Sequence, residues 1–329
     1  MAKSAIAVNA EYFTLRFFCG LVNAIPYALA MAMARGLGWT AFTVFGFKRK
    51  RTLERIRGVF PEKSEKEAKA IAVRSLQNVL QTGVEMMRAP RLDRKWMDRH
   101  VLDGQLYKDK LQAYVDEGRG VVIMVPHSGN WYMAAWSMAK YGLPLFAIAA
   151  RQRNPKLDAW MNRQYGDIEV LDRDCRNTLV KIHERLKAGR AFAILPDLRV
   201  RKPDVQAEFF GGTANVSHAG AMFAVRSECP IVVAQMYRER GRHVFNHIAT
   251  LRPDPAAPDK KAEAQRLTQE TLKLLSEAVM KRPGDWYWYN KRWILEPPNE
   301  GVTCRKPDGR QQGLKLRQES SASGTASAY

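Results

Sequence analysis

Cysteine is scarce and scattered in this chain of 329 residues. Its four copies, Cys19, Cys175, Cys229 and Cys304, form no CxxC pair for zinc or redox work and no closely spaced disulfide framework. A reducing, cytosol-facing setting is the simplest reading. Acidic side chains are also in deficit, since 33 Asp and Glu face 53 Lys and Arg and leave a formal net charge of +20. Such a balance points to anionic partners. No recognised nucleic-acid motif accompanies the charge, so an anionic lipid surface or an acidic carrier protein suits it better than nucleic acid. Internal repeats, collagen periodicity and heptads are missing as well. At 46% hydrophobic and 10% aromatic residues, the chain nevertheless has ample material for a core.

A long apolar run is missing too. Between Arg16 and Arg35 lies a stretch of 18 residues without a charge. As a helix it would measure about 27 Å against a hydrocarbon core of roughly 30 Å, and Asn23 and Pro26 weaken it further. A second uncharged stretch runs from Gly36 to Phe47, and Lys48, Arg49, Lys50 and Arg51 follow it. Two apolar helices lying in or against a bilayer, with a cationic cytoplasmic flank, account for this pattern; a buried helical hairpin is the alternative. A signal peptide fits poorly, because Glu11 precedes the apolar run.

Ser64 and Glu67 have capping-box spacing ahead of a helix expected over 63–90. From Gly118 onward the texture alternates. Strands are expected at 120–126, 143–150, 168–171, 190–196, 206–210, 230–237 and 243–251, and helices at 131–142, 154–165, 176–188, 217–227 and 259–281. The alternation predicts an α/β fold: a central, mostly parallel sheet flanked by helices, preceded by the apolar helical region. Three segments follow from this: membrane-associating helices over 1–51, the α/β domain over 52–298, and a disordered polar tail over 299–329.

The sharpest local feature is PHSGNW at 126–131. His127 falls just past an apolar strand and just before a helix, where open α/β sheets bind ligands. An imidazole there can accept a proton from an attacking hydroxyl, and the amides opening the next helix can hold an oxyanion. A turn histidine without catalytic duty explains the local pattern equally well.

The chain resembles the late acyltransferases of lipid A biosynthesis and the related phosphatidylinositol mannoside acyltransferases. Ordered segments carry the resemblance: FPEKSEKEAKAIAVRSLQN, GVVIMVPHSGNW, RQRNPKLDAWMNRQYG at 151–166, LPDLR at 195–199, AEFFGGTA at 207–214, CPIVVA at 229–234 and WYWYNKRW at 286–293. What the resemblance implies is a glycerolipid-acyltransferase-like fold and transfer of a fatty acyl group to a hydroxyl of a membrane lipid. The acyl donor would be an acyl carrier protein or coenzyme A thioester acting as co-substrate. It implies no metal or other cofactor, no nucleic-acid partner, and a place on the cytoplasmic face of the inner membrane.

One departure stands out. The family pattern is a histidine followed five positions later by Asp or Glu, and that position here is Tyr132. A neutral phenol cannot supply the charge that steadies an imidazolium. Three explanations compete: another carboxylate replaces the missing one, Tyr132 suffices for a slower reaction, or the chain binds lipid without catalysing transfer. Asp197 and Glu208 both match regions beside the family's site, with Asp197 the preferred replacement and a turn-capping role its alternative. The expected substrate contacts are Asn130, Arg151, Arg153, Asn154, Arg199 and Arg201, the last two next to Lys202. Guanidinium groups suit phosphate or oxyanion, although solvated basic loops explain them nearly as well. His183 reads as a solvated helix residue and His218 as a weaker site candidate. The aromatic cluster at Trp286, Tyr287, Trp288, Tyr289 and Trp293 reads either as an interfacial belt or as core.

Overall fold

A computed structural model describes residues 4–200 and 205–295. Four helices open the chain: α1 (Ala5–Ala24), α2 (Tyr27–Thr43), α3 (Arg49–Val59) and α4 (Glu65–Arg88). Their ends are set by local chemistry. Pro26 separates α1 from α2, and the capping box starts α4, where the Glu67 N–H donates to the Ser64 hydroxyl and the Glu67 carboxylate accepts the Ser64 N–H at 2.9 Å. Helix α4 is the spine on which α1, α2 and α3 pack.

The body continues through α5 (Arg94–His100), β1 (Val101–Leu102), α6 (Gly104–Asp116), β2 (Val121–Met124), α7 (Trp131–Lys140), β3 (Leu145–Ala149), α8 (Pro155–Tyr165), β4 (Glu169–Asp172), α9 (Thr178–Lys187) and β5 (Ala191–Ile194). After the hairpin β6 (Val205–Phe209) and β7 (Gly212–Val216) come α10 (Ala219–Ser227), β8 (Ile231–Glu239), β9 (Arg242–Leu251) and α11 (Lys260–Lys281). Seven strands form one sheet in the order β1-β9-β8-β2-β5-β3-β4, parallel throughout except for the β8–β9 pair. The expected α/β architecture is therefore present.

The strand expected at 206–210 does not join that sheet. As β6 it pairs with β7 in a separate antiparallel hairpin packed on α11, because the Phe210–Gly211 corner, with both residues at positive φ, turns the chain straight back. Helices α5 and α6 and the short β1 had no clear periodic signal, and packing places them.

Both faces of the sheet are covered, and the strand period of two divides them. Val122 and Met124 of β2 face one core with Phe192, Ile231 and Val233; Val121 and Ile123 face the other with Ala191, Val232 and Met133. A fully buried Phe192 contributes about 1.5–3 kcal/mol relative to exposure. The aromatic cluster belongs to the first core. Trp286, Trp288 and Tyr289 are at most 2% exposed, with the Tyr289 hydroxyl donating to the Ala72 carbonyl at 2.8 Å. Exposed aromatics lie elsewhere: Phe13, Phe17, Phe18, Trp39, Phe45 and Phe47 all belong to α1, α2 and the turn after them.

Helix α1 is long and apolar enough to cross a membrane, yet it is tied to the body near both ends. Toward its start, Asn154 donates to the Val8 carbonyl and to Glu11, and Lys156 donates to Asn9. At its end, Asn23 donates to the Met87 carbonyl, Arg88 to Val22 and Ile25, and Arg91 to Asn23. The helix lies along the body with its other face outward. Residues 299–329, expected as a tail, lie outside the described residues.

Candidate active site

Two central strands end alike. At the end of β2, Ile123, Met124 and Val125 lead to Pro126 and His127; at the end of β5, Ala193, Ile194 and Leu195 lead to Pro196 and Asp197. The strands are parallel neighbours with Met124 opposite Ile194, so each chain runs three residues past that pair to its polar side chain. Proline has no N–H for a ladder, so pairing stops there in both strands. His127 and Asp197 are thus delivered side by side at the C-terminal edge of the sheet, 70 residues apart in sequence.

The contact is close. His127 Nδ1 lies 2.8 Å from Asp197 Oδ1, while Asp197 Oδ2 accepts the His127 backbone N–H and the Trp286 indole N–H, each at 2.7 Å. Asp197 is fully buried, whereas the His127 side chain keeps 17% exposure. A carboxylate at Nδ1 holds that nitrogen protonated and leaves the Nε2 lone pair available.

The loop that carries His127 is held from three sides. The Tyr287 N–H donates to the His127 carbonyl at 2.9 Å, and the Gly129 N–H to the Asp285 carbonyl at 2.8 Å. The Thr82 hydroxyl donates to the Gly129 carbonyl, and the Gln235 amide to the Ser128 hydroxyl. Gly129 has φ +56°, and a Cβ there would stand 2.4 Å from the Met236 carbonyl oxygen, so only glycine fits. Asn130 then caps α7 by accepting from the Met133 N–H at 3.0 Å.

Behind this loop is a buried charge cluster. Glu85 is 0% exposed and accepts from Asn130 at 2.7 Å, from the Tyr27 hydroxyl at 2.7 Å and from Arg238, with His243 Nε2 at 2.8 Å. Burial alone would raise its pKa. Arg238 and His243 outweigh that and hold the carboxyl well below its usual range. Burial and the facing Glu85 push the Tyr27 phenol up, so it stays a hydrogen-bond donor.

Beside His127 opens a cavity of about 440 Å³ between the sheet and α7 and α8. Small side chains such as Ala135, Ala147 and Ala193 leave the space, and Trp136, Tyr132 and Tyr165 bound it. Arg173, Arg199 and Arg292 contribute the cationic part of its lining.

Among the expected site residues, the fold brings together His127, Asp197, Tyr132 and Arg199. Glu208 lies apart on β6, exposed, with its backbone N–H bound to Gln269, while the His127 nitrogen is taken by Asp197. Asn130 and Asn154 cap α7 and α8, and their amide groups are spent on Glu85 and on α1. Arg151 is 75% exposed and pairs with Asp172 at 2.7 Å; Arg153 is exposed, and neither lines the cavity. Arg201 and Lys202 lie outside the described residues. His183 bonds Ser227 at 3.0 Å, and His218 precedes α10. Sequence reasoning missed Glu85, Arg238, His243 and Arg173. Arg173 follows the last residue of β4, so the strand-end rule that singled out His127 applies to it equally. No local pattern marks Glu85, which sits on an otherwise ordinary helix.

Comparison with known proteins places the chain in a family. The sequence model of the family described as bacterial lipid A biosynthesis acyltransferase matches residues 4–294. Similar curated proteins include the phosphatidylinositol mannoside acyltransferase of Mycolicibacterium smegmatis, 26% identical over 200 residues that make up 58% of this chain and 62% of that protein. The protein of the same name from Mycobacterium tuberculosis strain H37Rv is 23% identical over 220 residues, 64% of this chain and 66% of its own length. The lipid A biosynthesis lauroyltransferase of Escherichia coli K12 is 22% identical over 299 residues, covering 87% of this chain and 91% of that one. The matches thus span just under two thirds of the mycobacterial proteins' length.

Proposed function

Because this chain belongs to the bacterial lipid A biosynthesis acyltransferase family, we propose that it moves a fatty acyl group from an acyl thioester to a hydroxyl of a membrane lipid. The observation that carries this reading is the His127 imidazole, backed by the buried Asp197, at an apolar cavity of about 440 Å³. The acyl tail occupies the cavity, which places the thioester carbonyl near Nε2. His127 takes the proton of the acceptor hydroxyl as its oxygen forms a bond to the carbonyl carbon. The tetrahedral intermediate then collapses, the C–S bond breaks, and the imidazolium returns the proton to the thiolate. Asp197 stabilises the imidazolium, so the missing acid at position 132 is supplied across the sheet. No acyl-enzyme forms in this scheme. Arg173, Arg199 and Arg292 provide a positive field for the phosphates of a phosphopantetheine or coenzyme A arm and of an anionic lipid headgroup.

The enzyme works at a membrane surface in this reading, on the cytoplasmic face of the inner membrane. Helices α1 and α2 lie in the interface with their outer apolar faces in lipid, and the basic run at Lys48 to Arg51 meets anionic headgroups. The contacts near both ends of α1 favour this over a crossing helix.

Two experiments test these statements. Purified protein given acyl carrier protein or coenzyme A thioesters and a lipid extract should release free thiol and yield a new acylated lipid, read by mass spectrometry, and His127→Ala should do neither. Equal inertness of both across donors and lipids would leave lipid binding without transfer. In flotation with anionic vesicles, the combined change of Phe17, Phe18 and Leu37 to Ser should cut the bound fraction at least about tenfold, since each buried apolar side chain contributes on the order of 1.5 kcal/mol or more. Unchanged flotation would put the membrane contact elsewhere.

A further inference from the structure

Tyr132 occupies the position where the family pattern has an acid, yet its surroundings are those of a cavity wall. It is the second residue of α7, its ring stacks on Trp136 with centroids 5.6 Å apart, and it approaches the Tyr165 ring at 6.5 Å. Tyr165 is the last residue of α8, so the two phenols bridge the gap between the helices that flank the cavity. Small or slender side chains, Ala147, Ala149 and Val170, line the same cavity. Backbone and alanine methyls cannot retreat much further, so the space left for an apolar guest depends on the rings. The His127 nitrogen that an acid at position 132 would serve is already 2.8 Å from Asp197. Burial raises the Tyr132 phenol above its ordinary range, so its ring remains neutral.

We propose that Tyr132 sets which acyl lengths the cavity accepts, acting as a specificity wall outside the proton-transfer apparatus. This rests on the acyltransferase reading for its substrate class, while the geometry of the wall stands on the ring contacts. In a packed apolar cavity one methylene too many changes discrimination by about tenfold or more, and removal of a phenol leaves room for several.

The test compares wild type, Tyr132→Phe, Tyr132→Leu and Tyr132→Ala, each as the full chain, over a series of saturated acyl thioesters of increasing length. Displacement of a fluorescent fatty acid by free fatty acids of the same lengths is measured in parallel. Tyr132→Phe, which keeps the ring, should keep the length profile. Tyr132→Ala should shift the ratio of kcat/KM for long over short chains by about tenfold or more toward long chains, with displacement shifting the same way. Tyr132→Leu should fall between them and covers the case in which the alanine variant does not fold. Wild-type profiles in both Leu and Ala variants would overturn the proposal, as would a loss in Tyr132→Phe equal to that of His127→Ala. If wild type shows no turnover, the acyltransferase reading fails by itself, and the displacement series still decides the role of the wall.

Discussion

Asp197→Asn is expected to lower kcat by about 10³–10⁴-fold while changing KM little. The reason lies in who donates to whom. Asp197 Oδ2 accepts two N–H donors, from the His127 backbone and from the Trp286 indole. An asparagine must turn its carbonyl oxygen to those two donors, which directs its NH₂ toward His127 Nδ1. That nitrogen then becomes the acceptor, the ring proton moves to Nε2, and the nitrogen facing substrate has no lone pair for the hydroxyl proton. The fold should survive, because the size and the two strongest contacts are kept. The Asp197→Asn, His127→Ala double variant should be no slower than His127→Ala alone, since the two residues act as a unit. Steady-state kinetics across pH decides it, and an Asn variant within about threefold of wild type would remove the dyad from the mechanism.

Replacing Glu85 by Gln should destabilise the fold by about 3–5 kcal/mol, because the Arg238 guanidinium then loses the charge that offsets its burial and the network with His243 is disturbed. For a chain of this size that is a drop in Tm on the order of 4–7 °C. The pH dependence has a definite sign. The Glu85 carboxyl is held below its unfolded value of about 4.3, so its stabilisation is fully present above that pH and is lost as pH falls toward the folded-state value. Thermal melts at pH 7 and pH 4 should therefore show wild type losing part of its advantage in acid. A difference that is the same at both pH values, or absent, would mean that the cluster is not ionised as described. Since Asn130 also loses its charged partner, the start of α7 should loosen and the variant should be slower as well.

Much of this fold was legible because it is written locally. The Ser64 and Glu67 capping box, the apolar strands broken by proline or glycine and the 3.6-residue pattern of α4 each involve neighbours in sequence. The hairpin β6–β7 was only half legible, since β7 carries no alternation of its own and gains its pairing from β6. The aromatic cluster was ambiguous for a different reason. Tryptophan and tyrosine suit both a membrane interface and a core, and only the position of Trp286 and Trp288 against α4 decided between them.

The site shows the same division in a sharper form. Sequence singled out His127 from its place after an apolar strand, and it offered Asp197 and Glu208 as rival partners. The matching Val-Pro-His and Leu-Pro-Asp ends were already visible as residues. That they meet depends on β5 lying next to β2 with Met124 opposite Ile194, and non-local pairing of parallel strands leaves no trace in either strand. The Glu85 cluster likewise joins α2, α4, α7, β8 and β9, whose residues become neighbours only when the helices close over the sheet. The chain by itself determined most of its elements and singled out His127, because these depend on contacts within a turn or a strand. Tertiary packing chose the carboxylate, placed Tyr132 at the cavity and built the charge cluster, because each needs groups brought together from distant parts of the chain.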